Sequence, residues 1–387
     1  MSNRKLVILA IAAAVMIAAA VAQWRIAKSR TSSAKPPSVD TYLIQGLNPA
    51  AISKIVIGRG ENPVELERAG GGFVIVNRSG YPAATSKIND LITKCLDIRT
   101  DELITSNPAN HQSLDVTEDK CQNMVKFLNA EGEVITGIII GSSRLPELDF
   151  SKRSTYVRII SSDDVYLADN VPMSLGDSPT DFMDKQLISV SRAEIESVTV
   201  TGPQGSYTLR AAEGDGDGLL LEDKPQGREL SESRCGQVFE ALMSLSFTDV
   251  KKAVEADDIQ FDRTYVCRLK DSTVYELSLA GSDDAFYLKC AVDFTDKTPV
   301  VKEQRVESEE ELKAKEAKLL ARRKAEELGE KCAGWLYEIP QWKAANFKKD
   351  LDDLLEPVED AEPGQEAAAD SERPEGAGAA EVGAGVE

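Results

Sequence analysis

An internal repeat is the feature that most constrains the fold of this chain. Residues 86–103 (SKINDLITKCLDIRTDEL) align with residues 233–250 (SRCGQVFEALMSLSFTDV). The apolar positions coincide, pairing Ile88 with Cys235, Leu91 with Val238, Ile92 with Phe239, Cys95 with Leu242, Leu96 with Met243 and Ile98 with Leu245. Because apolar residues recur every three or four positions, the pattern predicts the same amphipathic helix twice.

Strand patterns flank the helix in both copies. Three short strands with Gly-rich turns precede it, and a hairpin and a further strand follow it. The corresponding segments are residues 52–76 and 195–222 upstream, and 123–142 and 264–282 downstream. The second hairpin strand is predicted to end at Gly141 in the first copy and at Gly281 in the second. This order predicts an α+β fold, in which two tandem antiparallel sheets are each covered by a helix.

The repeat sets the domain boundaries. We predict a first α+β repeat over residues 41–186 and a second over residues 187–355. Residues 29–40 are rich in Ser, Lys and Pro, the composition of a linker. From Glu356 to the last residue, ten carboxylates face one arginine among Ala, Gly and Pro. Residues 356–387 are therefore predicted to be a disordered acidic tail.

The second copy carries a charged insertion at about residues 303–331. It is rich in strong helix formers, and acid-before-base pairs four residues apart support a helix. These pairs are Glu309 with Lys313 and Glu311 with Lys315, and the apolar seam is Leu312, Leu319 and Leu328. Because three leucines are too few for a confident coiled coil, we expect a projecting helix. Its outer surface is either solvated or in contact with a partner.

The N-terminus contains 17 uninterrupted apolar residues, from Leu6 to Ala22. This length is at the lower limit for a helix that crosses a bilayer, and Trp24 stands where an interfacial aromatic belongs. A cleaved signal peptide is the alternative, since Ala20 and Ala22 have the small-x-small form of a cleavage site. The apolar run exceeds the usual signal-peptide core, so residues 1–28 are predicted to be a single-pass transmembrane anchor.

The predicted location is the inner (cytoplasmic) membrane, with the large domain on the periplasmic or extracytoplasmic side. A plain count of basic residues around the span opposes this orientation, because more of them follow the span than precede it. The arrangement is nevertheless that of a signal-anchor. The net charge of −20 and the pI near 4.7 argue against direct binding to nucleic acid.

Residues that could carry catalysis are few. His111 is the only histidine, so a catalytic triad or a multi-histidine metal site would depend on it. Adjacent carboxylates could serve acid-base chemistry, although such pairs in turns are usually just solvated. These pairs are Asp163-Asp164, Asp257-Asp258 and Asp283-Asp284. We therefore predict no catalytic residue, no cofactor-binding residue and no enzymatic activity, and keep a hydrolase using His111 or a carboxylate pair as the alternative.

Metal and modification motifs are weak. Residues 213–224 resemble a calcium loop, but Lys224 stands where a bidentate glutamate should close the shell, so no metal site is predicted. The six cysteines (Cys95, Cys121, Cys235, Cys267, Cys290 and Cys332) show no C-x-x-C spacing, and we expect buried thiols. Asn77-Arg78-Ser79 fits a glycosylation sequon, which matters only in a eukaryotic secretory setting.

Several motifs together resemble the family catalogued as domain of unknown function 4340. They include "YPAATSKINDLITKCLDI", a hairpin ending "IIIG", "TYVRI...VYLAD" and a closing "WLYEIPQWKAANF", within about residues 40–355. The resemblance implies a bacterial envelope protein that accompanies components of ABC-type transport systems. It supplies no catalytic residues. The charged insertion and the acidic tail depart from the family pattern.

These features together predict a membrane-anchored envelope protein that acts by binding. It would serve as a scaffolding or accessory subunit of a membrane assembly, with a protein partner. A receptor for a small ligand or glycan is a second alternative, and it would require an apolar cleft between the two units with converging polar groups.

Overall fold

The computed structural model describes residues 41–144, 154–212, 218–255, 259–281, 285–301 and 307–357. The predicted anchor (residues 1–28) and linker (residues 29–40) lie outside these ranges. So do the start of the charged insertion and nearly all of the predicted tail, since the description ends at Pro357.

The first unit is a sheet in which every described pairing is antiparallel, together with one helix. Its strands have alternating apolar residues, as in β2, where Ile55 and Ile57 are buried. The helix α1 (Thr85–Leu96) turns Ile88, Leu91, Ile92 and Cys95 toward the core. The described strands are β1 (Thr41–Tyr42), β2 (Lys54–Ile57), β3 (Val64–Ala69), β4 (Gly72–Ile75), β5 (Tyr81–Pro82), β6 (Arg99–Thr105), β7 (Asn123–Leu128), β8 (Val134–Arg144), β9 (Ser154–Ile159) and β10 (Val165–Asp169).

The second unit is built around another antiparallel sheet, with two short accessory ribbons beside it. Its helices are α2 (Glu232–Phe239), α3 (Glu309–Cys332) and α4 (Gln341–Phe347). Its described strands are β11 (Gln186–Ile188), β12 (Ile195–Gly202), β13 (Gly205–Ala211), β14 (Leu219–Leu221), β15 (Arg228–Leu230), β16 (Leu245–Ser246), β17 (Asp249–Lys252), β18 (Arg263–Leu269), β19 (Thr273–Gly281), β20 (Phe286–Phe294), β21 (Trp335–Ile339) and β22 (Leu355–Pro357). β11 pairs with β16, and β15 pairs with β22.

The two large sheets share one strand order. The first contains the run β6-β10-β9-β8-β7-β2-β3-β4, and the second contains β17-β21-β20-β19-β18-β12-β13-β14. Taken in chain order, the strands of the two runs correspond one to one, with α1 and α2 at equivalent points between them. β8 continues to Arg144, three residues past the predicted end at Gly141, whereas β19 ends at Gly281.

The predicted fold class was wrong. We expected an α+β chain with an N-terminal transmembrane helix and two helix-covered sheets, but the described chain is mostly antiparallel sheet. The second helix is shorter than the apolar pattern predicted, because α2 ends at Phe239 and Leu242 and Leu245 are buried by a turn and by β16 instead. Among the described helices, none has the length and apolar content needed to span a bilayer. The apolar run from Leu6 to Ala22 lies outside the described residues.

The charged insertion forms α3, which lies along β20 and does not project as expected. Ala321 and Ala325 are buried against Phe294, and small side chains let the helix approach the strand closely. A Cβ at Gly329 would stand only 3.2 Å from the Val292 backbone oxygen. Lys318 forms an ion pair with Asp296 at 2.6 Å, which ties the helix to the segment that follows β20. The inner face of α3 is therefore part of the second unit.

The pairs predicted along α3 are only part of its electrostatics. Lys313 and Glu309 form the expected ion pair at 2.7 Å. Lys315 also pairs with Glu307 at 2.9 Å, outside the helix. Glu311 completes a capping box with Ser308, which satisfies backbone N–H groups at the helix start.

A continuous hydrophobic core joins the two units. At its centre Tyr81 of the first unit packs against Phe247, Trp335 and Tyr337 of the second, with ring centroids 5.0–6.4 Å away. The edge-on geometry of these rings is the arrangement that aromatic quadrupoles prefer. The units are consequently packed together rather than merely connected.

Candidate functional site

A charged cleft opens where the two units meet. Its volume is about 350 Å³. Asn77, Arg78 and Ser79 line it from the turn before β5, and the second unit lines it with Asp249, Val250, Lys251, Glu255, Tyr287, Leu336 and Glu338. Ligand pockets are usually lined mainly by apolar and aromatic side chains. Since most of these side chains are charged or polar, the cleft differs from the apolar one that a small-ligand receptor would require.

Arg78 forms the main polar contact across the cleft. Its Nε and Nη2 donate to the two carboxylate oxygens of Asp249 at 2.6 and 2.8 Å, a bidentate pair between residues distant in sequence. This hydrogen bond raises the pKa of Arg78 despite partial burial. Ser79 Oγ donates to Glu255 at 2.8 Å nearby. The sequence indicated residues 77–79 only as a glycosylation sequon. Nothing in the local sequence identifies Asp249, 171 positions away, as the partner of Arg78.

We expect Arg78→Ala to lower the free energy of unfolding by about 1 kcal/mol. The value is modest because the two side chains remain 29% and 33% exposed and water screens the pair. Urea denaturation measures it. Lys54→Ala is the matched control, since Lys54 and Glu65 are similarly exposed (35% and 31%) but pair within one sheet. An equal loss in both variants would show that the Arg78 pair has no special part in joining the units.

His111 lies in the connection between β6 and β7 and is buried. Its Nε2 is 2.9 Å from the backbone oxygen of Asp163, so Nε2 donates and only Nδ1 is left to accept a proton. Among the described residues, no serine, threonine or cysteine side chain forms a hydrogen bond with the His111 ring. The structure thus places His111 beside the Asp163-Asp164 pair. The contact is with the backbone oxygen of Asp163 and not with a carboxylate.

Arg158 completes this polar cluster, and sequence reasoning missed it. Its Nε donates to the Val116 backbone oxygen at 3.0 Å, and its Nη1 donates to the Ser162 backbone oxygen at 2.9 Å. Burial lowers the pKa of the Arg158 guanidinium, an effect that the charge of Asp163 partly offsets. The cluster holds the β6–β7 connection against the β9–β10 turn. An arginine within an alternating strand carries no local signal of this role.

The other sequence candidates are dispersed. Asp164 accepts a weak hydrogen bond from the Tyr166 hydroxyl at 3.4 Å. Asp257-Asp258, Asp283-Asp284 and the first five residues of the calcium-like loop (213–217) lie outside the described residues. No group of three or more metal-ligating side chains occurs in the described ranges. All six cysteines are buried and free, and Cys290 and Cys332 both lie where α3 meets β20.

The outer face of α3 is the most distinctive exposed surface of the second unit. Leu312, Leu319 and Leu320 are each about half exposed, whereas Leu328 packs against the core. The predicted three-leucine seam is therefore divided between two faces. Ion pairs of Arg322 with Glu326 and Arg323 with Glu327 continue the outer surface toward the helix end. A half-exposed leucine cluster beside organised charges suits contact with another protein.

Comparison with known proteins adds one finding. No curated protein and no solved structure matches the chain. Residues 74–264 match the family model described as "Domain of unknown function (DUF4340)". The matched stretch begins in β4 of the first unit and ends in β18 of the second, so it crosses the junction between them. Over residues 74–264, the match confirms the resemblance to domain of unknown function 4340 that the sequence motifs indicated.

Proposed function

We propose that the protein acts by binding, as a scaffolding or accessory subunit of a membrane assembly in the bacterial envelope, such as an ABC-type transport system. The outer face of α3 is the proposed contact surface. The half-exposed cluster of Leu312, Leu319 and Leu320 is the observation that carries this proposal. The transport association is what the resemblance to the family implies.

The way α3 is held supports a binding role. Its inner face is fixed by Ala321 and Ala325 and by the Lys318–Asp296 ion pair. A contact face on a fixed helix loses little conformational entropy when a partner binds. The outer leucines are thus presented on a rigid support. The continuous core extends that support to the first unit.

The non-enzymatic part of the proposal is supported by the His111 geometry. His111 is buried and its Nε2 is engaged by the Asp163 backbone oxygen, and among the described residues no Ser, Thr or Cys side chain is hydrogen-bonded to the ring. If the protein were a hydrolase that depends on His111, His111→Gln would abolish its catalytic activity. We expect this variant to keep the protein's binding to its partner.

The contact surface is tested by photo-crosslinking in cells. A photoreactive residue is placed at Leu320 of the full chain, and the captured membrane protein is identified by mass spectrometry. Binding of that protein is then measured with the Leu319→Glu/Leu320→Glu double variant. We expect affinity to fall at least tenfold, because a leucine pair at an interface core is replaced by charges.

Leu220→Glu serves as the matched control, since Leu220 is 57% exposed but lies on β14, far from α3 in the sheet order. It should leave the affinity unchanged. Capture of a transport component through Leu320, lost in the double variant, supports the proposal. Equal binding by the double variant and the control would refute the α3 surface.

The proposed location, at the inner membrane with the large domain outside the cytoplasm, is tested separately. In spheroplasts, added protease should cleave the domain without lysis of the cells. Protection until lysis would place the domain in the cytoplasm and contradict this part.

A further inference from the structure

Cys290 and Cys332 meet where the end of α3 reaches β20. Cys290 lies on the same face of β20 as Leu288 and Phe294, the face that the core covers. Along α3, Ala325 packs near Phe294, and Gly329 stands over Val292. Continuing this register by one turn of the helix and two residues of the strand places Cys332 over Cys290.

Chain connectivity requires the same placement. Only Ala333 and Gly334 separate Cys332 from the first residue of β21. β21 pairs directly with β20, with Tyr337 opposite Leu288. The Tyr337 hydroxyl donates to the Lys331 backbone oxygen at 3.4 Å, which holds the last turn of α3 beside these strands. Both cysteines are buried: Cys290 is 8% exposed and Cys332 is 1% exposed.

The environments of the two thiols differ. A hydrogen bond with the Cys290 thiol lowers the pKa of Cys332, and the Tyr337 hydroxyl and Lys331 act in the same direction. The same hydrogen bond and burial raise the pKa of Cys290. Cys332 is consequently the better thiolate, and Cys290 is positioned as its resolving partner.

We propose that Cys290 and Cys332 form a redox-active pair that closes to a disulfide by exchange with a disulfide oxidant. The Cys332 thiolate attacks one sulfur of the oxidant, which forms a mixed disulfide and releases one thiolate. Cys290 gives its proton to that thiolate and attacks the Cys332 sulfur, which releases a second thiolate. This thiolate takes up the proton that Cys332 lost when it ionised. Two protein thiols are oxidised and one disulfide is reduced to two thiols.

Closing this pair would fix the end of α3 on the sheet. The disulfide would close a loop of the chain from Cys290 to Cys332, and this loop contains the whole of α3. Access for the oxidant requires the last helical turn to open. Gly329 within that turn weakens the helix and favours such opening. The inference rests on this geometry alone and does not depend on the proposed binding partner.

The test uses the purified, reduced full-length protein incubated with oxidised glutathione. Peptide mapping by mass spectrometry without reduction should find a Cys290–Cys332 linkage, while the other four cysteines stay free. The melting temperature should rise by roughly 5 °C and return on reduction, because a long closed loop restricts the unfolded chain.

Cys332→Ser should abolish both the linkage and the rise in melting temperature, and Cys290→Ser should do the same while trapping a glutathione adduct on Cys332. Mapping of the wild-type chain is decisive even if a variant folds poorly. Two free thiols after oxidation, or a linkage to a different cysteine, would overturn the proposal. Either result would leave the proposed α3 surface untouched, because crosslinking at Leu320 does not require the disulfide.

Discussion

Tyr81→Ala is expected to lower the free energy of unfolding by about 3–5 kcal/mol and to separate the unfolding of the two units. Tyr81 is 2% exposed and is the first unit's contribution to the aromatic cluster. Its ring lies 5.0 Å from Trp335, 5.9 Å from Phe247 and 6.4 Å from Tyr337. Alanine would leave a ring-sized cavity and remove three edge-on contacts at once.

Two probes in a denaturant titration measure this separation. In a Trp24→Phe background, tryptophan fluorescence reports the second unit through Trp335 and Trp342, and far-ultraviolet circular dichroism reports both units. The transitions should coincide in the wild type and diverge in Tyr81→Ala. Tyr81→Phe keeps the ring and should stay within about 1 kcal/mol of the wild type. Coincident transitions with a loss below about 1 kcal/mol in Tyr81→Ala would show that the cluster does not couple the units.

Gly141→Ala is expected to lower the free energy of unfolding by about 3 kcal/mol. A Cβ at this position would overlap the backbone oxygen of Leu114 and stand 2.6 Å from Val116 Cγ1. The Leu114 oxygen also accepts a hydrogen bond from Ser142 Oγ at 3.2 Å, so it cannot move away cheaply. The clash should displace the connection that carries His111.

Gly71→Ala is the matched control for a glycine in the same unit. Gly71 has no atom within 4 Å of an added Cβ, and its φ is outside the left-handed region. The midpoint of urea unfolding of Gly71→Ala should remain within experimental error of the wild-type midpoint. A similar loss in the two variants would show that the clash at Gly141 is not the cause of the destabilisation.

The glycines that ended the hairpin pattern illustrate how far the sequence could be interpreted. Gly141 and Gly281 occupy corresponding places in the two repeats, which was visible from alignment alone. The reason for each glycine was not visible. At Gly141 the connection before β7 passes over the strand, and at Gly281 the Phe286 ring occupies the space of a Cβ. One sequence pattern thus serves two different packing needs.

The helices show why local periodicity was insufficient for the fold class. Residues 86–96 and 233–243 have matching apolar spacing, yet α2 ends at Phe239 while α1 continues to Leu96. A buried apolar position can be satisfied by a helix, a turn or a short strand, as Leu242 and Leu245 show. The apolar spacing predicted which residues are buried better than it predicted their secondary structure.

The candidate contacts were the least predictable part. Arg78 and Asp249 lie 171 positions apart in the sequence. Arg158 and Val116, which are also hydrogen-bonded, lie 42 positions apart. The α3 insertion was expected to project because its seam of three leucines is sparse. Its alanines instead allow close approach to β20.

The sequence by itself determined the order of strand, helix and hairpin in both repeats, because side-chain alternation and helical spacing are properties of adjacent residues. It also indicated the long helix, through its strong helix formers and its acid-before-base pairs four residues apart. The tertiary structure alone decided the junction of the two units, the burial of α3 and the meeting of Cys290 with Cys332. Each of these depends on surfaces brought together from distant parts of the chain, where the free energy of packing and not the local backbone preference selects the partner.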